Sequence, residues 1–167
     1  MLSQIDFENI VWDFLFTYRQ FLLNGYLHKR VTNESYRKNP ATWDVILISL
    51  ENGTLLGLAK LLEKEKDFGR EFNRDDLNII SEKIIEIRKS FIAHNNLLKM
   101  RNRDSFLTEN QQTGSEILTM IDALKNRLIQ YQKSYNLNTD VDDLFRKTTQ
   151  NSLEDLNVWL KSFKVEL

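Results

Sequence analysis

Apolar side chains recur every three or four positions through nearly the whole 167-residue chain, and only one proline, Pro40, interrupts them. That spacing places one apolar stripe along each of several α-helices, whereas a half-buried strand needs strict alternation, which is nowhere sustained. The fold class this predicts is all-α: a single helical bundle of about five helices with no sheet, occupying residues 1–167 as one domain. Hydrophobic residues at 41%, charged residues at 28% and five glycines give enough apolar surface for a packed core and exclude a disordered or fibrous chain.

The first helix is predicted over 5–27, with Ile5, Phe7, Ile10, Val11, Phe14, Leu15, Tyr18, Phe21 and Leu22 on its buried side. It ends near Asn24-Gly25 or continues, kinked, towards His28. Pro40 suits a first helical turn, because its missing N–H would have no partner there, so a second helix starts at that residue. From Trp43 to Leu62 this helix is apolar around most of its circumference and is expected to be the most buried element. Gly53 and Gly57 lie four apart on one side, a spacing that suits the close approach of a neighbouring helix or of a ligand backbone, helix packing being the favoured reading.

A charged stretch at 63–76 reads as a loop, and Leu77, Ile80, Ile84, Ile87, Phe91 and Leu98 define the seam of a third helix on which His94 also falls. Residues 101–112 read as a second loop. A fourth helix carries Ile117, Met120, Ile121, Leu124, Leu128 and Tyr131, and 136–139 breaks it. The last helix runs from Asp140 to Phe163, burying Val141, Leu144, Phe145, Leu153, Leu156, Trp159, Leu160 and Phe163. The acid pairs Asp75-Asp76 and Asp142-Asp143 fall at helix starts, where negative charge complements the dipole.

Composition narrows the chemistry. Without cysteine there are no disulfides and no thiolate ligands, which favours a reducing compartment, and a cytoplasmic location is expected. No signal-like leader and no run of about 18 consecutive apolar residues is present, so no membrane association is expected. Two histidines 66 positions apart make a metal site and a cofactor unexpected, and His28 reads as surface or core filler.

A net charge of −1 gives no whole-molecule attraction for nucleic acid, so such binding must come from a local patch. Residues 87–103 supply one, with Arg88, Lys89, Lys99, Arg101 and Arg103 and no acid among them. Within it, Arg88 stays charged at every physiological pH and His94 exchanges a proton near neutrality, the minimal pair for metal-free cleavage of a phosphodiester. On one regular helix the two lie about 120° apart around the axis and about 9 Å along it. Acting on one phosphate therefore requires a bend near Ala93 or two copies of the helix pooling side chains across a twofold axis. Both residues also have plainer explanations: a hydrogen-bonded core histidine, and an arginine paired with a carboxylate of the bundle such as Glu82 or Glu86.

The run Ile87-Arg88-Lys89-Ser90-Phe91-Ile92-Ala93-His94, an arginine and a histidine separated by five residues on the third helix of an all-α chain, resembles the HEPN superfamily, most closely its abortive-infection (AbiU-like) branch. The apolar helix ending Leu58-Ala59-Lys60-Leu61-Leu62-Glu63-Lys64 is similar to that branch's second helix, so the likeness spans roughly residues 40–100. The resemblance implies a metal-independent endoribonuclease, a toxin or antiviral effector of phage defence. It would work as a homodimer on RNA, in some members held by a nucleotidyltransferase-like antitoxin. It implies His94 as general acid or base and Arg88 as the group that steadies charge on the phosphate. Lys89, Asn95, Lys99 and Arg101 are expected to contact phosphate. Lys89 stands where many members carry asparagine or aspartate, and Asn96 where some toxins carry the tyrosine that the antitoxin modifies. The alternative is a non-catalytic dimeric adaptor that binds a nucleotide or a partner protein in the same groove.

Overall fold

The computed structural model describes residues 2–31, 33–63, 74–92 and 112–162. These form six α-helices, α1 Gln4–Arg30, α2 Asn33–Lys38, α3 Pro40–Leu62, α4 Asp75–Ile87, α5 Gly114–Ser134 and α6 Val141–Ser162, with a π-helical turn, Arg88–Ile92, continuing from α4. No strand occurs among the described residues, and the molecule is an all-α bundle as the periodicity predicts.

Helix ends follow local chemistry. Ser3 caps α1, its hydroxyl accepting from the Asp6 amide at 3.1 Å, and the basic trio His28, Lys29 and Arg30 sits at the negative end of the dipole. Pro40 opens α3. The Thr113 hydroxyl accepts from the Glu116 amide while the Glu116 carboxylate accepts from the Thr113 amide at 2.7 Å, a reciprocal capping box that starts α5. Asn136 takes a left-handed backbone conformation with φ of 50°, which asparagine tolerates, and α5 stops there.

Two hydrophobic clusters hold the bundle. In the larger, Phe7, Val11 and Phe14 of α1 meet Leu58 and Leu62 of α3, Ile80 and Ile84 of α4, Met120 and Leu124 of α5 and Phe145 of α6. Phe14 and Phe145 meet edge to face at 5.1 Å. In the smaller, Leu27, Trp43, Leu156 and Leu160 close the other end, with Trp43 and Trp159 edge to face at 6.4 Å.

Several sequence expectations need correction. Helix α1 takes the second of its two expected courses, continuing through Gly25 and past His28 to Arg30, but a short helix, α2, not expected from the sequence, occupies part of the stretch before Pro40. Ile5 is exposed, because the stripe of α1 that carries it also carries Trp12 and Phe16 and faces away from the core. Helix α3 is not uniformly buried: its C-terminal half supplies the core with Leu55, Leu58, Leu61 and Leu62, but Val45 and Ile48 in its first half face solvent. Trp159 is likewise partly exposed. By length and composition α3 could cross a bilayer, although 33% of its most apolar window is buried within this bundle.

The glycine pair acts as its spacing predicts. A methyl on Gly57 would overlap the Thr17 side chain, and one on Gly53 would overlap Gln20, so their absence lets α3 lie close against α1. Outside this contact the two helices leave an open groove of about 320 Å³ edged by Phe16 and Leu56 and bridged by a 2.7 Å ion pair between Asp13 and Lys60.

Candidate phosphate-handling site

The site is built where the C-terminus of α3 meets the end of α4. Leu77, Ile80, Ile84 and Ile87 are buried, which fixes the rotation of α4 and realises four positions of the predicted seam. The two remaining seam positions, Phe91 and Leu98, lie outside the described side chains.

Immediately after Ile87 the helix widens. The Arg88 amide still donates to the Ile84 and Ile85 carbonyls, but the segment from Arg88 to Ile92 is a π turn, which takes more residues per revolution than the α-helix. The departure from regular geometry therefore begins five residues before Ala93, the position where the sequence placed a bend. Ser90 is buried within this turn, its hydroxyl donating to Glu86 at 2.7 Å.

Arg88 does pair with a carboxylate of the bundle, as its plainer reading has it, but the partner is Glu63 and not Glu82 or Glu86. Its Nη1 donates to Oε2 of Glu63, the residue that terminates α3, 25 positions earlier. The other carboxylate oxygen, Oε1, lies 4.0 Å from Nζ of Lys89. One carboxylate thus faces two cations from successive positions of the π turn. The side chains of Arg88 and Lys89 are 32% and 52% exposed and that of Glu63 is 22% exposed, so the cluster is reachable from solvent.

Sequence reasoning assigned no role to Glu63, yet a signal was present. A carboxylate in the last turn of a helix opposes the dipole, at a cost of about 0.3–1 kcal/mol, and so calls for cations from elsewhere in the fold. Arg88 and Lys89 answer that call.

Of the six residues expected to handle phosphate, the structure brings Arg88 and Lys89 together; His94, Asn95, Lys99 and Arg101 lie outside the described residues. His28 is exposed at the end of α1. Asp75-Asp76 and Asp142-Asp143 occupy the first turns of α4 and α6 as expected. Hydrogen bonding from Lys125 holds the Asp142 carboxyl below its usual range, and Lys147 and Arg146 do the same for Asp143. Among the described residues, no three histidine, aspartate or glutamate side chains gather as a metal site.

What the observed arrangement can do chemically is hold an anion. Arg88 offers a planar fork of donors and Lys89 a mobile point charge, a combination suited to phosphate oxygens. Compared with protein-family models, curated proteins and solved structures, the chain matches none.

Proposed function

We propose that this chain is a HEPN-type, metal-independent endoribonuclease, a toxin or antiviral effector that cleaves RNA with Arg88 and His94 at a homodimer interface. The observation that carries the reading is the solvent-reachable pair of cations, Arg88 and Lys89, in a π turn at the end of α4, holding an oxyanion group between them. π turns are rare and recur at functional sites. Among the described residues, the outward side of α4 leaves Ile79, Glu82 and Lys89 exposed, a face that a second copy could meet.

The chemistry requires little machinery. RNA carries its own nucleophile: the 2′-oxygen attacks the adjacent phosphorus, the bond from phosphorus to the 5′-oxygen breaks, and a 2′,3′-cyclic phosphate and a 5′-hydroxyl result. In this reading His94 removes the 2′-proton or protonates the departing oxygen, and Arg88 stabilises the charge that grows on the non-bridging oxygens. Lys89, Asn95, Lys99 and Arg101 contact neighbouring phosphates. A nucleotidyltransferase-like antitoxin is the partner class this reading implies.

Purified protein is expected to cut RNA in EDTA; His94→Ala should abolish cutting while thermal unfolding stays near that of the parent, and Arg88→Ala should abolish cutting with a small loss of stability, because Glu63 then faces the end of α3 with Lys89 alone. Cutting that persists in a folded His94→Ala protein excludes the assigned role. The Glu63 pair also favours the adaptor reading, in which Arg88 is held for a nucleotide or partner protein. There, Arg88→Ala weakens binding while no variant, nor the parent, turns over RNA.

A further inference from the structure

Glu63 stands where its own helix repels it. The C-terminal carbonyls of α3 concentrate partial negative charge at this position, and the carboxylate is tolerated because Arg88 and Lys89 from the π turn lie across from it. Its two oxygens address two different cations, the pattern in which two non-bridging oxygens of a phosphodiester would address them. An ion pair this accessible to water contributes little net free energy, so an incoming anion meets a low barrier to exchange.

From this we infer that Glu63 is a built-in occupant of the Arg88–Lys89 anion site, which the backbone phosphate of a single-stranded nucleic acid must displace. The inference rests on the reading of Arg88 as a phosphate-handling group and adds a threshold to it. A strand with several phosphates offsets the displacement through its other contacts, whereas a lone phosphate has none, so Glu63 selects polymers over small anions.

The test is fluorescence anisotropy with a labelled single-stranded DNA oligonucleotide, which lacks the 2′-hydroxyl and is not cleaved, over a potassium chloride series. The proteins compared are the full chain, Glu63→Gln, Arg88→Ala and the double variant. Glu63→Asn, a favourable residue at a helix end, serves as a second neutral replacement should Glu63→Gln unfold. Glu63→Gln is expected to bind about two- to five-fold tighter. Its slope of log affinity against log salt should steepen by about 0.7, because contact with the phosphate no longer releases an internal carboxylate that must be neutralised afresh. Arg88→Ala should weaken binding, and in that background the Glu63 substitution should bring little gain. If folded Glu63→Gln and Glu63→Asn bind no tighter than the parent while Arg88→Ala still weakens, the threshold is overturned and the phosphate role of Arg88 survives. If Arg88→Ala binds as the parent does, both fall.

Discussion

Gly57 and Gly25 are both helical, and the same substitution should move them in opposite directions. Alanine normally stabilises a helix interior by about 0.5–1 kcal/mol relative to glycine, because the unfolded chain loses freedom and the helix loses none. At Gly25 nothing stands within 4 Å of an added methyl, so Gly25→Ala should stabilise the protein by that amount, read as a higher urea midpoint with an unchanged slope. At Gly57 the methyl meets the buried Thr17, whose hydroxyl is already fixed to the Asp13 carbonyl at 2.9 Å, and the helices must separate. Gly57→Ala should therefore destabilise by about 1–3 kcal/mol, the range for overpacking. Equal effects at the two positions would mean that α1 and α3 are not held at the spacing described. The sequence showed that the pair suited a close neighbour, but the identities of Thr17 and Gln20 depend on the register between two helices, which no local pattern encodes.

At the scale of the element, α5 gives the clearest link between sequence, cap and pH. Two hydrogen bonds from Thr113, first from its amide and then from its hydroxyl, hold the Glu116 carboxyl below its usual range. A depressed carboxyl contributes stability that is fully present above its unfolded value, about 4.3, and is lost as pH falls through the lower folded value. Thr113→Ala should cost about 1 kcal/mol, seen as a melting temperature about 2–4 °C lower at pH 7. Glu116→Ala should cost less, and its deficit should shrink below pH 4 as the parent protonates, so the two thermal curves converge; a deficit constant from pH 7 to pH 3 would exclude the carboxylate as its source.

Helix starts and seams were readable where they act within a few residues, as at Pro40 and the run Leu77, Ile80, Ile84, Ile87, whereas the Thr113 cap emerged only from the structure. The burial of α3 was overread for a complementary reason. An apolar circumference states what a helix could bury, but Val45 and Ile48 stay exposed because, among the described residues, no other helix covers that side. The π turn was not legible either, since nothing in Arg88 to Ile92 departs from ordinary helix-forming chemistry, and the choice of Glu63 over Glu82 and Glu86 depends on where α3 ends in space.

For the whole molecule, the proposed function requires an arginine and a histidine six residues apart to serve one phosphate, and that requirement can be tested. The π turn changes the helical geometry over Arg88–Ile92, and pairing of two chains would bring a second copy of each group. The two routes differ in a mixing experiment. Suppose each site takes Arg88 from one chain and His94 from its partner. In a heterodimer of Arg88→Ala with His94→Ala, one site then loses both groups and the other keeps both intact. Equal amounts, unfolded and refolded together, give heterodimers in about half of the population, each with one working site of two, so about a quarter of the parent's RNA-cutting rate should return from two inactive proteins. If the turn instead completes the site within a single chain, every site in the mixture lacks one group and nothing returns. A monomer by light scattering together with full activity would likewise assign the site to one chain. The proportion recovered thus reads the architecture of the site directly, independent of which surface the two copies use.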